Sequence, residues 1–71
     1  MDRTSVGSTN LVSVGYDDAT NMLEAEFQKS GVYQYYGVPR EVYDQLMAAP
    51  SKGTYFNTVI KKGGYACARV G

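Results

Sequence analysis

The chain has 71 residues, 44% of them hydrophobic and 20% charged, with seven basic side chains against seven acidic. It is long enough for one small domain and too short for two, and a zero net charge argues against a protein that coats nucleic acid. With no histidine and one cysteine, Cys67, the chain lacks His-activated nucleophiles, a CxxC redox pair, an internal disulfide and a zinc site, so neither metal nor cofactor is expected.

Residues 1–10 read as a flexible polar lead-in without the apolar stretch of a signal peptide, followed by a single domain over 11–71. No apolar run is long enough to span a membrane, and the scarcity of cysteine favours a cytoplasmic location. From Leu11 to Tyr16, Val12, Val14 and Tyr16 alternate with Ser13 and Gly15. From Met22 to Gln28, Leu23, Ala25 and Phe27 alternate with Glu24, Glu26 and Gln28. From Val32 to Gly37, Tyr33 and Tyr35 share one face and Gln34 and Tyr36 the other. Period two predicts three half-buried strands, and the short polar turns at 17–21 and 29–31 make them an antiparallel meander.

After Gly37 the period becomes helical. Pro39 suits the first helical position, Glu41 the first turn, and Val42, Tyr43, Leu46, Met47 and Ala49 form the apolar stripe that Pro50 ends. Ser51 then reads as the cap of a second helix carrying Tyr55, Phe56, Val59 and Ile60, with Lys61 and Lys62 at its C-terminus and Gly63-Gly64 beyond it. Residues 65–70 read either as a short fourth strand or as an extended tail. The predicted class is α+β, a three-stranded antiparallel meander followed by two short helices packed on one sheet face. Its expected core is Val12, Val14, Leu23, Phe27, Tyr33, Tyr35, Val42, Leu46, Phe56, Val59 and Ile60.

Three features bear on function. The run Tyr33-Gln34-Tyr35-Tyr36 offers aromatic rings that stack on bases in RNA-binding sheets, but alternation assigns Tyr33 and Tyr35 to the core. Tyr36 is left outside with Gln34, beside Glu24 and Glu26, whose carboxylates repel phosphate. Ser51-Lys52-Gly53 at a helix start is the better anion site. It combines free N–H groups, a cation and a close backbone approach, with Asn57 one turn on. The same residues also serve as a plain helix cap. Lys61, Lys62 and Arg69 form a small basic cluster, read equally as a solubilising surface. The charge is segregated, with a net of −4 over residues 1–28 and +4 over 29–71.

Taken whole, Val14-Gly15-Tyr16-Asp17, Gly31-Val32-Tyr33-Gln34-Tyr35, Gly37-Val38-Pro39, Ser51-Lys52-Gly53 and Tyr55-Phe56-Asn57 closely resemble the KTSC domain, over roughly residues 8–66. The family takes its name from the C-terminal segment of some lysyl-tRNA synthetases. Its short stand-alone members are bacterial and phage proteins, and the resemblance implies RNA binding. Lys61-Lys62 stands where many relatives have arginine, which keeps the charge and loses the bidentate fork. Gln34 stands at an often basic position.

The leading expectation is a non-catalytic module that binds RNA or a nucleotide. Ser51, Lys52 and Gly53 hold phosphate, Asn57 with Tyr36 or Tyr55 contacts a base or sugar, and Lys61 and Lys62 add charge. The alternative is a protein-interaction or self-associating module that uses its sheet edges, with a protein partner or a second copy.

Overall fold

Strand alternation and turn chemistry build a sheet whose order follows the chain. The computed structural model describes residues 2–8 and 10–71; Met1 and Thr9, both in the expected lead-in, lie outside the described residues. Strands β1 (Thr4–Ser5), β2 (Leu11–Asp17), β3 (Met22–Phe27), β4 (Gly31–Tyr36) and β5 (Ala66–Arg69) form one antiparallel sheet in the order β1-β2-β3-β4-β5. The expected three-strand meander is β2–β4. Thr4 and Ser5, from the lead-in, pair with β2, and the tail supplies β5 beside β4. At the β3–β4 turn Gly31 has φ +98°, a conformation that side chains strain to adopt.

Between β4 and β5 the chain crosses one face of the sheet as helices α1 (Arg40–Ala48) and α2 (Lys52–Tyr55). The second continues without a break into a π-helical segment, Phe56–Lys61. Pro39 takes the cap position rather than the first helical one, its backbone still extended. Before Pro50 the chain leaves the helix at Ala49, which is extended as a residue preceding proline prefers. Ser51 caps α2 as expected, its hydroxyl accepting the Thr54 N–H.

The core lies between sheet and helices. Leu11, Val14, Leu23, Ala25, Phe27, Tyr35, Val38, Leu46, Phe56 and Ile60 are buried. Phe56 sits at the centre, its ring edge-on to Phe27 at 5.2 Å and to Tyr35 at 5.3 Å. Tyr33, Val42 and Val59, expected in the core, are half-buried, and so is Val12. The reason at Val12 is a β-bulge. Leu11 pairs with Phe27 and Ser13 with Glu26, so Val12 is the extra residue. The bulge moves Leu11 onto the core face with Val14, which strict alternation forbids. Val12 gives its carbonyl to the Val6 N–H, 3.1 Å away.

The opposite sheet face is polar and internally bonded. Ser13 donates to Glu26 at 3.1 Å, Gln34 to Glu24 at 3.0 Å and Tyr36 to Gln34 at 3.1 Å. Arg3 reaches Glu24 and Glu26 at 3.5 and 3.8 Å. The carboxylates there are engaged by these donors, as expected of a wet sheet face.

Candidate functional site

A π-helix closes its bonds at i→i+5, so the residue five beyond Phe56 stays on its side of the helix, where an α-helix would turn it away. Lys61 is that residue, and its ammonium stands 4.8 Å from the centre of the Phe27 ring, a cation–π contact. Beneath it is a cleft of about 190 Å³ lined by Phe27, Ser30, Tyr33, Tyr35 and Lys61. Cross-strand pairing places Arg69 beside Tyr33 and Cys67 beside Tyr35 on this same face. The Arg69 guanidinium lies against Gly31, where a Cβ would come within 3.1 Å of its Nε. Lys61 thus lines a wall of aromatic rings, and Arg69, its Nε donating to the Gly71 carbonyl at 3.1 Å, lies beyond it at Gly31. Burial, with Cys67 and Tyr33 nearby, raises the Tyr35 phenol above its ordinary pKa, so it stays a protonated donor at neutral pH.

The other expected site residues are dispersed around this cleft. Ser51 is engaged as a cap, its hydroxyl also donating to Thr54 Oγ1 at 2.9 Å. Lys52 donates to the Ala49 carbonyl at 3.3 Å. Gly53 faces Ser8, where a Cβ would lie 2.7 Å from the serine Oγ, so the glycine admits the segment before β2. Asn57 is exposed, Tyr55 donates to Gln45 at 2.8 Å, and Lys62 is exposed in the turn after the π segment. Tyr36, 41% exposed, is on the far side of the sheet from both helices, so it shares no site with Ser51–Gly53. The structure brings Lys61 to the tyrosines and leaves Ser51, Lys52 and Gly53 as a separate cluster.

Arg69 and Ser30 were not singled out as contact residues. Arg69 becomes legible once the tail is a strand, because parity then sets it opposite Tyr33. The position of Lys61 has no such signal, since a π segment leaves no period in so short a stretch.

A second concave surface, at the other end of the sheet, is lined by Asp2, Tyr16, Asp17, Asp18 and Ala19. Beside it Arg40 bonds Asp44 at 3.0 Å and Asp18 at 2.6 Å while covering the rings of Tyr16 and Tyr43. Those rings stack at 5.2 Å. Arg40 is consumed by these partners, which makes this region a structural latch. Among the described residues no group of side chains is arranged to hold a metal ion, and no helix is long and apolar enough to cross a membrane.

The family model for the KTSC domain matches residues 7–65, nearly the entire length from before β2 to the start of β5. The chain belongs to the KTSC domain family. The crystal structure of a KTSC domain protein from Yersinia pestis superposes with a TM-score of 0.93 at 43% identity, covering 99% of this chain and 97% of that one. An uncharacterized protein of Stutzerimonas stutzeri is 40% identical over 70 residues, 99% of each chain. A lysine–tRNA ligase of Trichormus variabilis is 46% identical over 46 residues, which are 65% of this chain and 8% of the ligase.

Proposed function

We propose that this KTSC domain is a small, non-catalytic module that binds a phosphorylated ligand, RNA or a nucleotide. The observation that carries the reading is the cleft where the Lys61 ammonium stands with the rings of Phe27, Tyr33 and Tyr35, with Arg69 beside Tyr33 on the neighbouring strand. Rings and cations at one place suit a ligand that joins a flat base to a phosphate. Its volume of about 190 Å³ is below that of pockets holding drug-sized molecules, so it admits one base or one phosphate group and leaves the remainder of the ligand outside. Two phenols, the Phe27 ring, one serine and one ammonium line it, with no base positioned to activate a nucleophile. The related segment in a lysine–tRNA ligase supports a role beside RNA.

The test is an amide NMR titration with a short mixed-sequence RNA and with mono-, di- and cyclic nucleotides, at low and moderate salt. Shifts are expected at Ser30, Tyr33, Tyr35 and Lys61. Lys61→Ala should weaken binding about 10- to 100-fold, the scale of one charge-assisted contact. Lys52→Ala should leave it within about twofold. The reverse order would move the site to the start of α2, and a spectrum unmoved by every ligand at low salt would overturn the reading.

A further inference from the structure

The cleft under Lys61 differs between its rim and its floor. Ser30 and Lys61 are exposed and Tyr33 is half-buried, whereas Phe27 and Tyr35 are each 6% exposed. Among the described residues every fully buried side-chain nitrogen or oxygen has a hydrogen-bond partner. The Tyr35 hydroxyl has none there, so it is not sealed in, and the cleft is the opening that Tyr35 lines. Burial keeps this phenol protonated and a donor at neutral pH. The Ser30 and Tyr33 hydroxyls and the Lys61 ammonium also find no hydrogen-bond or carboxylate partner among the described residues. Every polar side chain of the lining can therefore donate, and none of them only accepts.

The rings at the floor are already engaged. Lys61 stands 4.8 Å from the centre of the Phe27 ring, and that ring packs edge-on with Phe56 at 5.2 Å and with Tyr33 at 5.9 Å. Tyr35 packs edge-on with Phe56 at 5.3 Å. A base pushed to the floor would find no open ring face to stack on and no carboxylate to accept from its amino groups. Phosphate oxygens only accept, which suits a lining of donors around one ammonium. We infer that the cleft is a site for a terminal phosphate, a monoester whose oxygens accept from Lys61, Tyr35 and the rim hydroxyls while the attached nucleoside stays outside against Tyr33. An internal phosphodiester is flanked by two sugars, which the rim would hold away from the buried Tyr35. A monoester has one attachment and projects its oxygens inward. This inference rests on the phosphorylated-ligand reading above and fixes which end of the ligand enters.

Amide NMR titrations of the intact chain with matched pairs test it. The pairs are adenosine monophosphate against adenosine, and a short RNA with a terminal phosphate against the same RNA ending in a hydroxyl. Within each pair the phosphorylated member should bind at least about tenfold tighter, with shifts at Ser30, Tyr33, Tyr35 and Lys61. Comparison between the pairs tells a free nucleotide from a strand end as the source of the phosphate. Tyr35→Phe keeps the ring and loses the hydroxyl, and it should reduce that preference about fivefold or more. Ser30→Ala, at an exposed turn, should reduce it about two- to fivefold and decides the matter even where the Tyr35 variant unfolds. Equal affinity within the pairs, with shifts in the cleft, would overturn the inference and leave the nucleotide or RNA reading standing with the base inside. A preference that both variants leave unchanged would overturn it too, because the phosphate then sits elsewhere. A cleft unmoved by every member of both pairs would overturn the inference and the reading together.

Discussion

Phe56 is the side chain on which most of the others depend. It is 1% exposed, it packs edge-on with Phe27 and Tyr35, and it opens the π segment that Lys61 closes. Phe56→Ala should cost about 3–5 kcal/mol, against a total of about 4–10 for a chain of this size, so the urea midpoint should fall by about a third or more. Tyr35 makes a prediction in pH. An unfolded tyrosine titrates near 10, and burial holds the folded Tyr35 phenol protonated to higher pH. Between those two values the native state binds more protons than the unfolded one, so stability is intact below about pH 10 and falls as pH rises through the raised value. Tyr16 and Tyr55 are shifted in the same direction. Denaturation at about pH 9 and about pH 11 should therefore show a decline, and Tyr35→Phe should flatten part of it. The split between inward Tyr35 and outward Tyr36 is legible in the sequence, because β alternation needs only the residue number.

Elements were legible where a period is regular and hidden where it slips. The strands β2, β3 and β4, the stop before Pro50 and the Ser51 cap all follow from local chemistry that sequence displays. The bulge at Val12 and the π segment are single-residue shifts of register, and each changes which side chains share a face. That is why Leu11 is buried where Val12 was expected, and why Lys61 turns to the sheet rather than serving only as a helix-end cation. The Ser51 hydroxyl accepts the Thr54 N–H and donates to Thr54 Oγ1. Ser51→Ala should accordingly cost about 1 kcal/mol in urea unfolding while leaving nucleotide titrations at the cleft unchanged. Loss of ligand affinity with unchanged stability would instead make Ser51 a contact residue. At the β3–β4 turn the demand is stricter. A Cβ on Gly31 would lie 2.3 Å from the Gly71 carbonyl oxygen in addition to the positive φ. Gly31→Ala should cost at least about 1–2 kcal/mol and free the β5 end from β4, visible as lost protection of the Val32 and Val70 amides in hydrogen exchange.

Across the whole molecule charge separates along the chain and then recombines in space. Arg3 crosses to Glu24 and Glu26 on β3, and Arg40 to Asp18 and Asp44, so these arginines are spent inside the fold. With a net charge of zero there is no long-range field to gather a polyanion, and attraction comes from local cations alone. Around the proposed cleft these are Lys61 and Arg69, with Lys62 one residue away. A single strand releases about 0.7 counterion for each phosphate neutralised, so three cations allow a slope of log K against log salt no steeper than about −2. A measured slope within that limit for RNA is the expected outcome, with a still shallower one for a mononucleotide. A steeper slope would require phosphates beyond reach of these three side chains. Lys29, adjacent to Ser30 of the cleft, and Lys52, at the start of the second helix, are the lysines left to supply that contact. Repeating the salt series with Lys29→Ala and with Lys52→Ala separates these cases, because the slope should become shallower by about 0.7 only in the variant whose lysine the strand reaches.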